Sequence, residues 1–497
     1  MNMRSALESG KRIIKTALDI FPLYGYVSSR YSRLILPPGI AAKIFGLLLL
    51  LVITSESNLV HGGQTDTEDL KEVYAPSYSL VELFRIALER AEKIMISEEN
   101  IFIAERQKDK ALASLLPSLS AFGDYTRYNE EKKASSSFGS FSIQPEDSSI
   151  WGLRLDQSIS LGGREIFSYR ISKKDIDRSI YDDYSLKSDY LLEVSARYFD
   201  VLKAQKAVDI AKANVERLTK YRDEAEIKLR VGEVTKTVLL RAAAELSGAR
   251  SDLVKAENLL TFTRSVLARD VGISDDFVLN EEDNFIVEQV EPGSIDLLKK
   301  TALSERSEMQ SYQLQKKIAE DQVKFARGSY WPTLSVEGIY SRLDEEPSSP
   351  FFNDERIYGV VSLNFPLFEG GLRRAEVREA EAEKRQVELE YKDMEKTIGV
   401  EVEEAYLNLQ TQSGILQSLR DQFDFAQENF HMISKQFEFG LADSLDVMDA
   451  NNLLVTSERD LARAQYNYNF AILQLKHATG KLLESVTGEE NSRGINK

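Results

Sequence analysis

Hydrophobic positions along this chain follow two periods. Between Val402 and Phe437 apolar residues recur at every seventh place: Val402, Leu409, Leu416, Phe423, Phe430 and Phe437. Ala405, Leu419, Ala426 and Ile433 fill most of the companion positions. An earlier stretch obeys the same rule with Val194, Val201, Val208, Val215 and Leu229, interrupted by Arg222, and with Ala204, Ala211, Leu218 and Ala225 as companions. A sustained 3.5-residue period is the seam of a coiled coil. Gly163 to Arg230 covers 68 residues, about 100 Å of helix at 1.5 Å per residue, whereas a globular helix with one buried face seldom exceeds about 20–25 residues. Segments 79–113 and 234–268 are 35 residues each. Two such helices end to end match one long helix, which predicts a hollow or layered cylinder.

Four short segments alternate instead with period two. In 117–128, Leu119, Ala121, Gly123 and Tyr125 oppose Ser118, Ser120, Asp124 and Thr126. In 333–342, Leu334, Val336, Gly338 and Tyr340 oppose Ser335, Glu337 and Ser341. Segment 151–161 sets Trp151, Leu153, Leu155, Ile159 and Leu161 against Arg154, Asp156 and Ser160, and in 358–368 Val361, Leu363, Phe365 and Leu367 share a face. About ten residues with one apolar face suits a transmembrane β-barrel strand. A soluble four-stranded sheet packed on helices would alternate in the same way. Four strands cannot close a membrane barrel, which takes at least about eight, and lipid does not tolerate open edges. If these strands span a membrane, several chains pool them, and three chains supply twelve.

The pattern is written twice. "ASLLPSLSAFGDYTRYNEE" (113–131) lies over "GSYWPTLSVEGIYSRLDEE" (328–346), pairing Pro117 with Pro332 and Gly123 with Gly338. Further on, "GG" at 162–163 meets "GG" at 370–371, Gly232 meets Gly440 and Gly272 meets Gly480. The change of offset falls in the polar loop 129–150, where length varies cheaply. The organisation that follows is a signal segment 1–57, a polar linker 58–78, repeat copies at 79–290 and 294–482, and a polar tail 483–497. Each copy runs helix, two strands, long helix, glycine break, shorter helix.

Composition narrows the chemistry. The chain has 497 residues, with 63 basic and 80 acidic residues and a net charge of −17. That balance argues against nucleic acid, which needs a basic field. There is no cysteine, and the three histidines are His61, His431 and His477; no metal site or cofactor is called for. No catalytic constellation stands out, and Glu193, Glu401, Glu403 and Glu404 read as exposed helix faces. The run "IFGLLLLLVI" (44–53) follows seven basic residues. It has the length of a signal h-region and is short of the roughly 18–20 residues that span a bilayer, although an inner-membrane anchor is the competing reading.

The glycine breaks carry the remaining candidates. Gly232 and Gly440 follow the long helices, where a left-handed residue favours glycine. Thr235 and Asp443 follow three residues later and suit the N-cap of the next helix. In "FGLADSLDVMDA" (439–450), Asp446 and Asp449 are one helical turn apart on one face, with Val238 and Arg241 at the matching positions of the first copy. Helix capping and the helix dipole account for Asp443 well and for Asp449 poorly.

This arrangement resembles the TolC-type outer-membrane efflux family over about residues 79–482. The resemblance is carried by the "LPSLS" and "WPTLS" strand starts, by "LNFPLFEGG" (363–371) with its fainter copy "LDQSISLGG", and by "FGLADSLDVMDA". The family's Asn-Pro after the first "AL" is absent from both copies, as is the N-terminal Cys of lipidated relatives. The resemblance implies a mainly α fold with a small β part. Long coiled-coil hairpins would form an α-barrel, and four strands per chain would build a trimeric 12-stranded transmembrane barrel. It implies a homotrimer in outer-membrane lipid, extending into the periplasm, that docks onto a periplasmic adaptor and an inner-membrane pump. Such a duct is not an enzyme; it would export drugs, small toxic molecules or secreted substrates. It further implies that Asp446 and Asp449 ring the channel aperture, that Gly232, Thr235, Gly440 and Asp443 mark the adaptor-docking turns, and that Arg241 is a candidate gate partner for a neighbouring acid. The competing reading is a periplasmic coiled-coil scaffold or pump adaptor without a channel.

Overall fold

The computed structural model describes residues 76–137, 139–280, 293–347 and 354–488. The signal segment 1–57, most of the linker 58–78 and the last residues of the tail lie outside them. The fold is mostly helical, with few strands.

Two helices of 67 residues dominate: α3 (Arg164–Arg230) and α7 (Leu372–Glu438). Each is about 100 Å long at the α-helical rise. The predicted seams are the buried faces. Val194, Val201, Val208, Leu218 and Ala225 are buried on α3, and Val402, Leu409, Leu416, Ala426 and Phe437 on α7. A helix this long has no globular core to lie on, so a stripe packed against neighbouring helices is what holds it. Each long helix is antiparallel to the helix that follows its glycine turn, α4 (Lys236–Val271) and α8 (Ser444–Ala478).

The predicted helices 79–113 and 294–328 are each broken once. The first splits into α1 (Leu80–Arg90) and α2 (Glu92–Ala113), the second into α5 (Ile295–Glu305) and α6 (Ser307–Arg327). One residue at each break leaves the helical region: Ala91 at φ −69°, ψ 128° and Arg306 at φ −68°, ψ 129°. Neither break has a proline, so no helix-breaking residue announces it. Ser79 starts α1 with a capping box: its hydroxyl accepts from the Glu82 amide, and the Glu82 carboxylate accepts from the Ser79 amide. Such reciprocal capping satisfies two amides that the first turn leaves orphaned.

Four strands form one antiparallel sheet in the order β2–β5–β7–β8: β2 (Ser118–Arg127), β5 (Asp147–Ser160), β7 (Thr333–Glu346) and β8 (Glu355–Asn364). Register aligns the predicted apolar positions across the sheet. Leu119 faces Leu155, which faces Gly338, which faces Gly359; Ala121, Leu153, Tyr340 and Ile357 make the next row. Paired residues share a sheet face, so these rows build one apolar surface. Leu119, Leu153, Leu155, Ile357, Val361 and Leu363 are all exposed on it. The opposite face carries an Arg154–Glu337 ion pair at 2.9 Å and a Ser158–Ser335 hydroxyl contact at 3.0 Å. Tyr358 and Val360 are apolar exceptions there, opposite Ile339 and Glu337.

Three predicted boundaries shift. The loop 129–150 contains a hairpin, β3 (Lys132–Ser136) and β4 (Gly139–Gln144), and β5 already begins at Asp147. β4 does alternate Phe141 and Ile143 with Ser140, Ser142 and Gln144, but its partner KKASS carries no apolar alternation, which is why the segment reads as loop. In the linker, Ser77–Tyr78 (β1) pairs in parallel with Val278–Leu279 (β6). The tail 483–497 is not polar chain from its start: α9 (Leu482–Thr487) buries Leu482 and Leu483. They join the core around Phe84, Leu191, Phe199 and Leu267, where α1, α3 and α4 meet.

The "GG" pairs make the strand-to-helix turns, and Gly163 and Gly371 sit at the helix N-caps in the left-handed region. At Gly162 the constraint is room: a Cβ there would lie 2.4 Å from the Gly328 carbonyl oxygen. The sheet therefore leads into α3 only with glycine at that crossing.

Candidate functional site

The two glycine turns lie about 100 Å from the sheet by the helix rise, and the helix ends beside them pack on one another. Leu218, Tyr221 and Ala225 of α3, Ala242 and Leu246 of α4, Phe437 of α7 and Val447 and Met448 of α8 form one apolar cluster. Sequence adjacency explains the turns themselves. Gly232 (φ 82°) and Gly440 (φ 72°) take the left-handed conformation that glycine adopts at least cost. Around them the Gly232 amide donates to the Leu229 carbonyl and the Glu233 amide to Lys228; Gly440 donates to Phe437 and Leu441 to Gln436. Both are Schellman turns, which satisfy the last carbonyls of the helix. Gly440→Ala is expected to cost about 1–2 kcal/mol, since an L side chain at that φ meets its own carbonyl. Thermal unfolding checks this; an unchanged Tm would mean the turn relaxes.

The restarts differ. Asp443 caps α8: its Oδ1 accepts from the Leu445 amide at 2.7 Å and from the Asp446 amide at 3.0 Å. Thr235 holds the N-cap position of α4, but its side chain makes no capping bond.

The structure also separates Asp446 from Asp449. Asp446 completes the capping box, its Oδ2 accepting from the Asp443 amide at 3.0 Å. Asp449 makes no side-chain hydrogen bond or ion pair among the described residues. Both are exposed, on the side of α8 away from buried Val447, Met448, Ala450 and Asn451. Arg241 is exposed on α4. It is close enough to Tyr221 to oppose the upward shift of that phenol, which burial raises above its ordinary value and the Ser444 hydroxyl lowers in part.

Several residues that join the helices at this end carry no motif. Asn451, 2% exposed, donates its amide to Asn214 Oδ1 at 2.9 Å and accepts from Arg217 Nε at 3.3 Å. This ties α8 to α3. Lys228 donates to the Phe437 carbonyl at 3.1 Å and lies over the Phe437 ring, tying α3 to α7. The available signal was positional: Asn451 is a polar residue on the stripe Val447, Asn451, Leu454, and Tyr221 lies between Leu218 and Ala225 on theirs.

An antiparallel sheet with one exposed apolar face, standing on helices about 100 Å long that end in paired glycine turns, defines a TolC-like fold. The chain belongs to the outer membrane efflux protein family, whose model matches residues 83–272 and 298–481. It is 23% identical to the outer membrane protein TolC of Escherichia coli over 459 residues, covering 89% of this chain and 87% of that protein. It is 24% identical to TolC of Vibrio cholerae over 314 residues, 61% of this chain and 70% of the relative. Among solved structures it superposes on the Campylobacter jejuni CmeC outer membrane channel with a TM-score of 0.69 at 16% identity, covering 89% of this chain and 98% of that one. Among the described residues no helix is long and apolar enough to cross a membrane.

Proposed function

We propose that three copies of this chain form an outer-membrane exit duct of a tripartite efflux or secretion system. One observation carries the reading. The sheet has an exposed apolar face, and within one chain its outer strands β2 and β8 have no further partner among the described residues. Open edges are not tolerated in lipid. Three such sheets, joined β8 to β2, supply twelve strands and leave none. The two strand–helix halves would then be quasi-equivalent repeats, copies 79–290 and 294–482, and the equal lengths of α3 and α7 support this. The helices would continue as a twelve-helix periplasmic tunnel. Drugs, small toxic molecules or secreted substrates would pass through it.

At the far end Asp446 and Asp449 would form rings of three carboxylates around the aperture. The turns at Gly232–Thr235 and Gly440–Asp443 would meet a periplasmic adaptor linked to an inner-membrane pump. Arg241 has no ion pair among the described residues, so a gate partner would come from a neighbouring copy. The mature protein should fractionate with the outer membrane, run as a detergent-stable trimer and conduct ions in planar bilayers. A soluble periplasmic monomer would instead make it a scaffold or adaptor.

The Asn214–Asn451–Arg217 contact ties the α7–α8 hairpin to the α3–α4 hairpin. Asn451→Ala removes two hydrogen bonds worth about 1 kcal/mol each, together roughly a thirtyfold shift per protomer towards a parted tip. More frequent or larger openings in single-channel records are expected. A record indistinguishable from the parent would show that this contact does not restrain the tip.

A further inference from the structure

A groove of about 290 Å³ lies between α3, α4 and α8, near the middle of α3. Ala204, Ala207 and Ile210 of α3, Leu259 of α4 and Ala462 of α8 give it an apolar lining. Three cations share that lining, Lys203 of α3 and Arg459 and Arg463 of α8, against one carboxylate, Asp200. All three cations reach solvent: the Lys203 and Arg459 side chains are 28% and 45% exposed, and Arg463 is exposed.

None of the three is held by a close partner. Lys203 Nζ lies 3.6 Å from Asp200 Oδ1, and Arg459 Nε lies 4.0 Å from Asp460 Oδ1; both separations exceed hydrogen-bond length. Arg463 makes no side-chain hydrogen bond or ion pair among the described residues. Arg459 and Arg463 are one helical turn apart on one face of α8, where like charges oppose each other. On a chain with a net charge of −17, three cations around one groove run against the background. Their complement is an oxyanion, which guanidinium forks bind with paired hydrogen bonds. The complement of the alanine, leucine and isoleucine lining is a slim aliphatic group. The volume falls just below the roughly 300–1,000 Å³ of drug-sized pockets, which suits a short chain rather than a fused ring system.

We infer that this groove binds an amphiphilic organic anion. The oxyanion head would sit between Lys203, Arg459 and Arg463, and the aliphatic body would lie along Ala204, Ala207, Ile210 and Leu259. All the lining residues belong to one chain, so the site stands whether or not the trimeric duct is correct.

The test titrates the purified full-length protein in non-ionic detergent with hexyl sulfate. Hexanol and inorganic sulfate serve as the tail alone and the head alone. Hexyl sulfate should saturate one site per chain and bind about tenfold or more tightly than either half, since the charge-assisted hydrogen bonds and the buried methylenes each contribute. Its affinity should fall as salt screens the head. Arg459→Gln and Arg463→Gln should each weaken hexyl sulfate several-fold and leave hexanol unaffected, with no loss of Tm because neither side chain is buried. Asp200→Asn should tighten hexyl sulfate several-fold by removing the one repelling carboxylate. No saturable binding of hexyl sulfate would overturn the assignment. So would inorganic sulfate binding as tightly as hexyl sulfate, which is the result for an adventitious ion only, or an unchanged affinity in the Arg459→Gln/Arg463→Gln double variant.

Discussion

Asp449→Asn is expected to raise single-channel conductance and to reduce the preference for cations. On the proposed threefold axis three carboxylates would form a ring that attracts and holds cations in the path. Asp449 is the better placed of the two candidates, since its carboxylate has no protein partner among the described residues. Asp446 already lends Oδ2 to the Asp443 amide. Asp446→Asn keeps an acceptor oxygen for that amide, so α8 stays capped while the proposed ring would lose its charge. The order of effect should therefore be the double variant, then Asp449→Asn, then Asp446→Asn. The differences should shrink in high salt, where the screening length falls to about 3 Å at 1 M. Unaltered conductance and selectivity in the double variant would remove both residues from the aperture.

Arg306→Ala should cost about 2–3 kcal/mol in stability, less than the roughly 3–5 kcal/mol of breaking a fully buried pair because the acids here are partly solvated. Arg306 sits at the break between α5 and α6, 6% exposed, with Nη2 on Glu308 at 2.5 Å and Nη1 on Glu401. Burial alone would push the Glu308 carboxyl up, but the Arg306 hydrogen bond and charge outweigh it and hold the group below its ordinary 4.5. A depressed carboxyl contributes stability that is present above the unfolded value and is lost as pH falls through the folded one. In Arg306→Ala the burial is opposed only by the smaller backbone hydrogen bond and the His477 charge, so the carboxyl loses most of what favoured its charged form and the variant's deficit grows as pH rises above about 4.5. The stability gap between parent and variant should be widest near neutral pH and close towards pH 4. Glu308→Gln in the Arg306→Ala background should recover part of it. A gap that does not change with pH would assign Arg306 to packing alone.

What could be read without coordinates depended on repetition. The heptads from Val402 to Phe437 identify α7 because one contact geometry repeats over many turns, and alternation located four strands because every second side chain meets the same surface. The double glycines and Gly440 were legible because backbone conformation singles out the one residue able to adopt it. Ala91 and Arg306 escaped notice: an extended residue between two helices needs no special side chain, only packing that holds the helices at an angle. The β3–β4 hairpin was hidden because the brief Phe141–Ile143 alternation of β4 has no counterpart in the polar sequence of β3. Asn451 looked like one more polar residue among the acids of its segment.

By itself, then, the chain's sequence determined helix and strand identity, the places where helices stop, and the family resemblance, all through local periodicity and backbone preference. Only the tertiary structure decided which polar residues serve capping and which do not, and that α3 is tied to α8 through Asn214, Arg217 and Asn451. Those contacts join residues more than 200 positions apart, and a hydrogen bond depends on an approach within about 3 Å that no local pattern encodes.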